Sequence, residues 1–274
     1  MKKMVFFVIG LCWMLSSYSQ TLNVVSFKAS EKSGSINSYI LTSGKQSILV
    51  NPPMSVPDTR RLIDTLARLN RHISGVLITE ADPLYYLGTS EVKKAMPDIK
   101  ILAAKEVADE IRISGNTKYN LFRTTLGTDM PPPLVLPDSI VENVITLENC
   151  RINLQSLHEG SEWISILYEP KQKLLFTGNI VSDKIHLKLA DKLAETWIKE
   201  LEALNSYTVT TLYPGCGEPT DGRIIESCIS YIQTFQRALS TNDQLAVFDI
   251  MQYYFPGWKN PERLKESINK YLPK

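Results

Sequence analysis

Residues 76 to 88 of this chain read VLITEADPLYYLG. Four apolar or β-branched residues open the stretch, which is typical of the end of a buried strand. A polar segment with two carboxylates, Glu80 and Asp82, follows at once. The sequence therefore predicts a strand from Ile73 to Thr79 that presents acidic side chains at its carboxyl end.

The same stretch resembles the metallo-β-lactamase superfamily. In that family, a strand of this kind runs into a Thr-His-x-His-x-Asp-His signature and then into a helix start that contains glycine. This chain keeps the scaffold around the signature, up to Gly88, but has none of the signature histidines. The resemblance therefore implies the family's fold with an altered metal-binding motif.

Five further landmarks of the family follow in the expected order, each at a strand end, and the resemblance covers about residues 22 to 245. They are Asn37-Ser38-Tyr39 for the Asn-x-Tyr strand, Leu49-Val50-Asn51 for a strand that normally ends in Asp, 157–161 for the Gly-His-Thr-x-Gly-Ser turn, 175–179 for the Phe-x-Gly-Asp strand and 213–217 for the Pro-Gly-His-Gly turn. Together they imply an αββα sandwich, with two mixed β-sheets packed face to face and helices outside.

Hydrophobic periodicity supports this architecture independently of the family. Short strands with turn dipeptides between them predict an antiparallel meander over residues 22–50, and strands then alternate with helices. A strand-rich section begins with a strand at 139–146. The predicted helices include 105–113, 189–204 and 224–235. Two strand-rich halves, each followed by helices, are typical of a layered α/β domain.

The N-terminus has the features of a secretory signal peptide. Lys2 and Lys3 precede an apolar run from Met4 to Leu15, and small residues follow up to Ser19. A membrane anchor is the alternative, but the run is shorter than the roughly 20 residues that span a bilayer. We expect residues 1–19 to be removed before Gln20 or Thr21. The mature chain, 20–274, is then one exported domain, periplasmic or extracellular, with a C-terminal helical extension over about 242–274 and no transmembrane segment.

Charge and cysteine content restrict the partners and the redox chemistry. The chain has 30 basic and 29 acidic residues, and no basic cluster stands out. We therefore expect no nucleic-acid partner, and a small molecule or a protein instead. Signal cleavage leaves Cys150, Cys216 and Cys228, an odd number that excludes a disulfide framework and allows one bridge.

The resemblance places chain residues at each metal position of the family. Glu80, Asp82 and His158 stand where the first metal's histidines would be, Leu84, Tyr85 and Cys216 at the second metal, and Asn179 where an aspartate bridges both ions. Leucine has no donor atom and asparagine is neutral, so we expect the second site to be lost. We favour the interpretation that the first set consists of ordinary polar residues at strand ends, with no metal bound. The alternative is that these three residues hold one divalent metal, Zn, Mn or Fe.

Three functional hypotheses follow. The favoured one is an exported pseudo-hydrolase with a binding or scaffolding role, whose pocket includes Tyr85, Asn179 and Cys216. The alternative is a mononuclear metal-dependent hydrolase of a small ester or lactone, with Asp82 and His158 as candidate catalytic residues. The third is thiol catalysis by Cys216 with His158 as its base. His72 and His186 are expected to be surface or hydrogen-bonded histidines.

Overall fold

Six strands form the first sheet of the computed structural model, which describes residues 21–159, 162–189 and 194–273. In sheet order they are β1 Asn23–Lys28, β2 Asn37–Ser43, β3 Gln46–Val50, β4 Ile73–Ile78, β5 Lys100–Ala103 and β6 Ser139–Ile140. The first three pair antiparallel through short turns, as predicted. The remaining pairs are parallel, because helices connect these strands and return the chain to the same end of the sheet.

The second sheet has five strands. They are β7 Val144–Leu147, β8 Cys150–Glu159, β9 Glu162–Glu169, β10 Leu174–Ser182 and β11 Thr211–Cys216, in the order β11-β10-β9-β8-β7. All pairs are antiparallel except β10 with β11, which are parallel because a helix joins them. Both sheets are therefore mixed, as the sequence predicts.

Eight α-helices are found in the described residues. They are α1 Val56–Arg68, α2 Pro83–Tyr86, α3 Thr89–Ala95, α4 Lys105–Leu126, α5 Ala194–Leu204, α6 Arg223–Ala238, α7 Gln244–Tyr254 and α8 Pro261–Tyr271. The first begins where Ser55 accepts a hydrogen bond from the backbone N–H of Asp58, with a proline in the first turn. None of these helices is long and apolar enough to cross a bilayer.

Apolar side chains of both sheets pack into one core. Leu49 and Val76 of the first sheet share a buried cluster with Leu154 and Phe176 of the second. A second cluster covers the other face of the second sheet with helices α5 to α8. Each fully buried side chain of this size stabilises the fold by about 1.5–3 kcal/mol. The arrangement confirms the predicted αββα sandwich.

The C-terminal helices are part of the second cluster. Val247 and Met251 of α7, together with Leu264 and Ile268 of α8, are buried against α6 and the sheet. The segment predicted as an extension therefore contributes to the core, and it also positions the start of α8 beside the strand ends described below.

Two predicted elements were wrong in extent. The single strand expected at 139–146 is two strands in different sheets, since β6 pairs with β5 and β7 pairs with β8. The helix expected to end at Ile113 continues to Leu126. Gly115 does not end the helix. This glycine is buried inside α4, and a Cβ there would lie 2.7 Å from Leu134, so the small residue allows close packing.

Some predictions concern residues outside the described part of the chain, and one concerns the cysteines. The predicted signal peptide, residues 1–19, lies outside the described residues, as do Gly160, Ser161 and positions 190–193 of the helix predicted from 189. Cys150, Cys216 and Cys228 are all free and buried, so the bridge that the cysteine count allowed is not formed.

Candidate functional site

Asn51 joins the ends of β3 and β4. It adopts a left-handed backbone conformation, with φ of 57°. Its Nδ2 donates to the Thr79 hydroxyl at 2.7 Å, and its Oδ1 accepts from the Thr79 N–H at 2.9 Å. Asn51, which replaces the family's aspartate, thus fixes the strand end from which the acidic segment starts.

Glu80 crosses from the first sheet to the second. Its side chain is buried, and its Oε1 accepts a hydrogen bond from the Asn179 backbone N–H at 3.0 Å. Gly178 makes room for this contact: its φ is 53°, and a Cβ there would lie 2.3 Å from Glu80 Oε1. The Glu80 carboxylate therefore links the two sheets through a hydrogen bond.

Tyr85 of α2 reaches the same asparagine from the other side. Its phenol is fully buried and donates to Asn179 Oδ1 at 3.3 Å. Burial, together with the nearby Cys216 and Glu80, raises the pKa of Tyr85 well above its usual value, so the phenol stays protonated and donates. Glu80, Tyr85 and Asn179 thus form one connected group.

The turn that contains Cys216 is held by the Asn-x-Tyr strand. Asn37 Nδ2 donates to the carbonyls of Pro214 at 3.0 Å and Gly217 at 2.8 Å, and the Tyr39 hydroxyl also donates to Pro214. The Cys216 thiol is fully buried and points to the Gly34 carbonyl at 3.8 Å. These landmarks of the family fix the position of the thiol.

Arg263, in the first turn of α8, brings a cation to this thiol. Its Nη2 lies 3.6 Å from Cys216 Sγ and donates to the Gly34 carbonyl at 2.7 Å. Burial alone would lower the pKa of Arg263, but the neighbouring Cys216, Tyr85 and Asp82 raise it. A permanent positive charge therefore lies beside Cys216, which the sequence resemblance assigns to the family's second metal.

Asp82 begins α2 and remains partly accessible. Its Oδ1 accepts from the Leu84 N–H at 2.9 Å, an N-cap bond. Burial raises the pKa of Asp82, and the positive charges of Lys188, Lys118 and Arg263 act in the opposite direction. Asp82 is thus a carboxyl group whose pKa is raised by burial and held down in part by more distant positive charges.

Lys118 of α4 supplies the second cation near the acidic segment. Its Nζ donates to the Ala81 carbonyl at 3.0 Å, to Glu162 at 2.6 Å and to Glu110 at 3.1 Å. Burial would lower the pKa of Lys118, but the two glutamates raise it. The ammonium ties α4 to the strand-end segment.

His158 makes its described contacts with Trp163 and not with the connected group. It pairs with Trp163 across β8 and β9, and the two rings meet edge to face with centroids 4.9 Å apart. The Trp163 carbonyl accepts from the Ala81 N–H at 3.4 Å, which places His158 one strand beyond the acidic segment.

The two remaining histidines match their expectation. His72 is exposed just before β4. His186 is buried, with Nδ1 at 2.9 Å from the Tyr231 hydroxyl and Nε2 at 3.1 Å from Gln252.

Two zinc ions do not fit this set of side chains. Glu80 Oε1 is engaged by Asn179, Leu84 has no donor, and a cation would approach the Arg263 guanidinium at Cys216. Two unit charges roughly 4 Å apart repel by about 4 kcal/mol at an effective dielectric constant of about 20. Within the described part of the chain, no three His, Cys, Asp or Glu side chains form a group that could hold a metal.

Sequence reasoning missed both cations. Arg263 lies 47 positions after Cys216, in a helix outside the family landmarks. Lys118 lies in the part of α4 beyond Ile113, where the predicted helix ended. The sequence offers only helical periodicity for Arg263 and Lys118, and this pattern predicts that a charged residue lies on the solvent-exposed face of its helix.

The two mixed sheets, packed face to face between helices, define a protein of the metallo-β-lactamase fold. No protein-family model matches the sequence, and no curated protein does. Among solved structures, the DIM-1 metallo-β-lactamase exposed to ceftazidime is 17% identical, over 78% of this chain and 92% of that one, with a TM-score of 0.56.

Two further solved structures are similar to this chain. TMB-1 is 13% identical, over 77% of this chain and 97% of that one, with a TM-score of 0.56. The metallo-β-lactamase from Pontibacter korlensis is 16% identical, over 78% and 99%, with a TM-score of 0.58. At these identities the similarity shows the fold.

Proposed function

We propose that this chain is an exported, non-hydrolytic member of its fold class that binds a small molecule at the strand ends without a metal. One observation carries the proposal: the Arg263 guanidinium lies 3.6 Å from the sulfur of Cys216, a residue that the sequence resemblance assigns to the family's second metal. The strand ends therefore have a cation of their own, fixed by the fold.

Hydrolysis in this family needs a metal-bound hydroxide and ligands that orient it. Here the candidate ligands have other partners. Glu80 accepts from the Asn179 backbone, Asp82 caps α2, and His158 packs on Trp163. These contacts argue against the mononuclear hydrolase considered from the sequence.

The thiol alternative has little support from the contacts of Cys216. Its sulfur is fully buried, and its neighbours are the Gly34 carbonyl and the Arg263 guanidinium. Neither can accept a proton from the thiol as a general base would. Export rests on the signal-peptide pattern of residues 1–19, which predicts a protein that meets its ligand outside the cytoplasm.

A hydrolysis panel tests the proposal. The mature chain, purified without chelator, is assayed with nitrocefin, p-nitrophenyl acetate and a γ-lactone, each with and without added zinc. We expect turnover at the rate of buffer alone. Zinc-stimulated turnover that a chelator abolishes would contradict the proposal and favour the mononuclear hydrolase. A matched DIM-1 sample shows that the assay detects a working site.

A further inference from the structure

We infer that the outer face of the second sheet carries a separate binding site, for a small neutral saccharide, in a groove beside β7, β8 and the segment after α5. The groove has a volume of about 390 Å³, within the range of roughly 300–1,000 Å³ that is typical of small-molecule sites. Three side-chain amides and two tyrosines line it: Asn143, Asn153, Gln155, Tyr168 and Tyr207. None of them belongs to the group at the strand ends, so the inference goes beyond the proposed function.

The floor of the groove is the outer face of β7, β8 and β9. Ile152 and Leu154 of β8 are buried between the sheets, so the side chain of Asn153 points outward. Asn153 pairs with Val144 of β7 on one side and with Tyr168 of β9 on the other. Directly opposite residues of antiparallel strands have Cβ atoms about 4.5–5.5 Å apart, so the amide and the ring are neighbours.

The wall of the groove comes from the segment that follows α5. The ring of Tyr207 lies against that of Tyr168, with centroids 4.8 Å apart and an angle of 59° between the two planes. The Tyr168 hydroxyl donates to the Thr208 carbonyl at 2.9 Å, and the Tyr207 hydroxyl donates to Gln155 Oε1. Both rings and the Gln155 amide are therefore held in place before a ligand arrives, which lowers the entropic cost of binding.

The groove is separate from the strand ends. Tyr168 pairs with Leu175 of β10, and Asn179 lies four residues further along the same strand. At roughly 3.3 Å per residue, this corresponds to about 13 Å in the direction of the strand. The groove also lies on the helix side of the sheet, since Leu157, which shares the outer face of β8 with Asn153, is buried against the helices. A ligand in the groove therefore does not compete with one at the strand ends.

The chemistry of the lining favours a neutral ring that is rich in hydroxyl groups. Among the described residues, no side chain that lines the groove is charged. A charged ligand would lose water there without gaining a partner of opposite charge. Each Asn or Gln amide offers both an acceptor and donors, which match the hydroxyl groups of a sugar. The face of an aromatic ring is electronegative and attracts the polarised C–H bonds on the flat side of a sugar ring. A saccharide uses both features at once.

Saturation-transfer difference NMR on the mature chain, with titration of each probe, tests the inference. The probes are glucose, galactose, mannose and N-acetylglucosamine. Glucuronate, galacturonate, glucosamine and mannosamine are charged controls with the same kind of ring, and N-acetylglycinamide offers peptide groups without a ring. We expect at least one neutral sugar to bind at least about tenfold more tightly than every control, because only the neutral sugar satisfies both the amides and the aromatic face.

Two variants locate the site. Tyr207→Ala removes one ring and should weaken binding about tenfold, and Asn153→Ala removes one amide and should weaken it about threefold. Tyr253→Ala is the matched control, because Tyr253 also lies edge to face with a neighbouring tyrosine, 5.2 Å from Tyr254, but does not line the groove. This control should bind as the unaltered chain does. Circular dichroism shows whether each variant is folded.

An absence of binding by all four neutral sugars up to their solubility would overturn the inference, as would tighter binding of a charged or peptide control. Unchanged binding in both Tyr207→Ala and Asn153→Ala, or an equal loss in Tyr253→Ala, would overturn the location in the groove. If Tyr207→Ala does not fold, Tyr207→Phe takes its place. This variant keeps the ring but releases Gln155, and it should weaken binding about threefold.

Discussion

The Nη2 atom of Arg263 lies 3.6 Å from the sulfur of Cys216 and 2.7 Å from the Gly34 carbonyl oxygen, so one side chain of the last helix joins two segments at the strand ends. The sequence resemblance assigns Cys216 to a metal position of the family. Here an arginine provides the connection and the positive charge.

Arg263 is therefore expected to stabilise the fold. Arg263→Ala should lower the free energy of unfolding by about 1–3 kcal/mol, because the partly buried Gly34 carbonyl loses a charge-assisted hydrogen bond. Lys265→Ala, in the same helix but exposed, should change it by less than about 0.5 kcal/mol. Urea titration followed by circular dichroism measures both, and equal effects would contradict the role of Arg263.

Binding of a second zinc ion should be recoverable only when Arg263 is removed. The combined variant Glu80→His, Asp82→His, Leu84→Asp and Tyr85→His restores family donors at the strand end. We expect it to bind at most one zinc, because the guanidinium opposes a second dication near Cys216. Adding Arg263→Ala to this variant should raise the number of zinc ions bound per chain, whereas adding Lys265→Ala should not. Two zinc ions bound with Arg263 in place would show that its charge does not exclude metal.

Gly178 should be intolerant of a side chain. Gly178→Ala places a methyl group 2.3 Å from Glu80 Oε1 at a φ of 53°, which combines a clash with backbone strain. The matched control is Gly257→Ala, where φ is 75° and no atom lies within 4 Å. We expect backbone strain to lower the free energy of unfolding by about 1 kcal/mol in each variant. The clash should lower it by at least about 2 kcal/mol more in Gly178→Ala. Thermal unfolding of the two variants measures both losses of stability. Equal losses would contradict the role of Glu80 as a link between the sheets.

His186 should make the stability depend on pH. Burial lowers the pKa of His186 to about 4 from its usual 6.5. As the pH falls between these values, the unfolded chain takes up a proton that the folded chain does not, so the free energy of unfolding decreases. The total decrease is about 3 kcal/mol, and none of it is present above pH 7.

Substituting His186→Asn should flatten this part of the profile, while His72→Asn, at an exposed position, should leave the slope unchanged. Denaturant titrations at several pH values between 4 and 7 test both. A slope that is the same in all three proteins would assign the pH dependence to other groups.

Much of the architecture was predictable because it depends on local patterns. Strand alternation, turn dipeptides and the ordered landmarks located the two sheets, and topology then brought Glu80 and Asn179 together. The strand at 139–146 was misread because β-type residues continue while the chain passes from one sheet to the other. Local periodicity does not record that change of partner.

The electrostatics of the site were not predictable in the same way. Nothing near Arg263 in the sequence marks it as different from a solvated helix residue, and its role depends on how α7 and α8 pack against α6. That packing comes from Val247 and Leu264, which are buried far along the chain from the motif. Tertiary contacts of this kind decide which charges meet.

The metal content of the mature chain decides whether its strand ends hold an ion. The protein is produced in zinc-supplemented medium, purified without chelator, and measured by inductively coupled plasma mass spectrometry, with a DIM-1 sample prepared in parallel. We expect far less than one equivalent of zinc, manganese or iron per chain, and no change in thermal stability after dialysis against a chelator. One or more stoichiometric metals, released by the chelator with a fall in thermal stability, would contradict it.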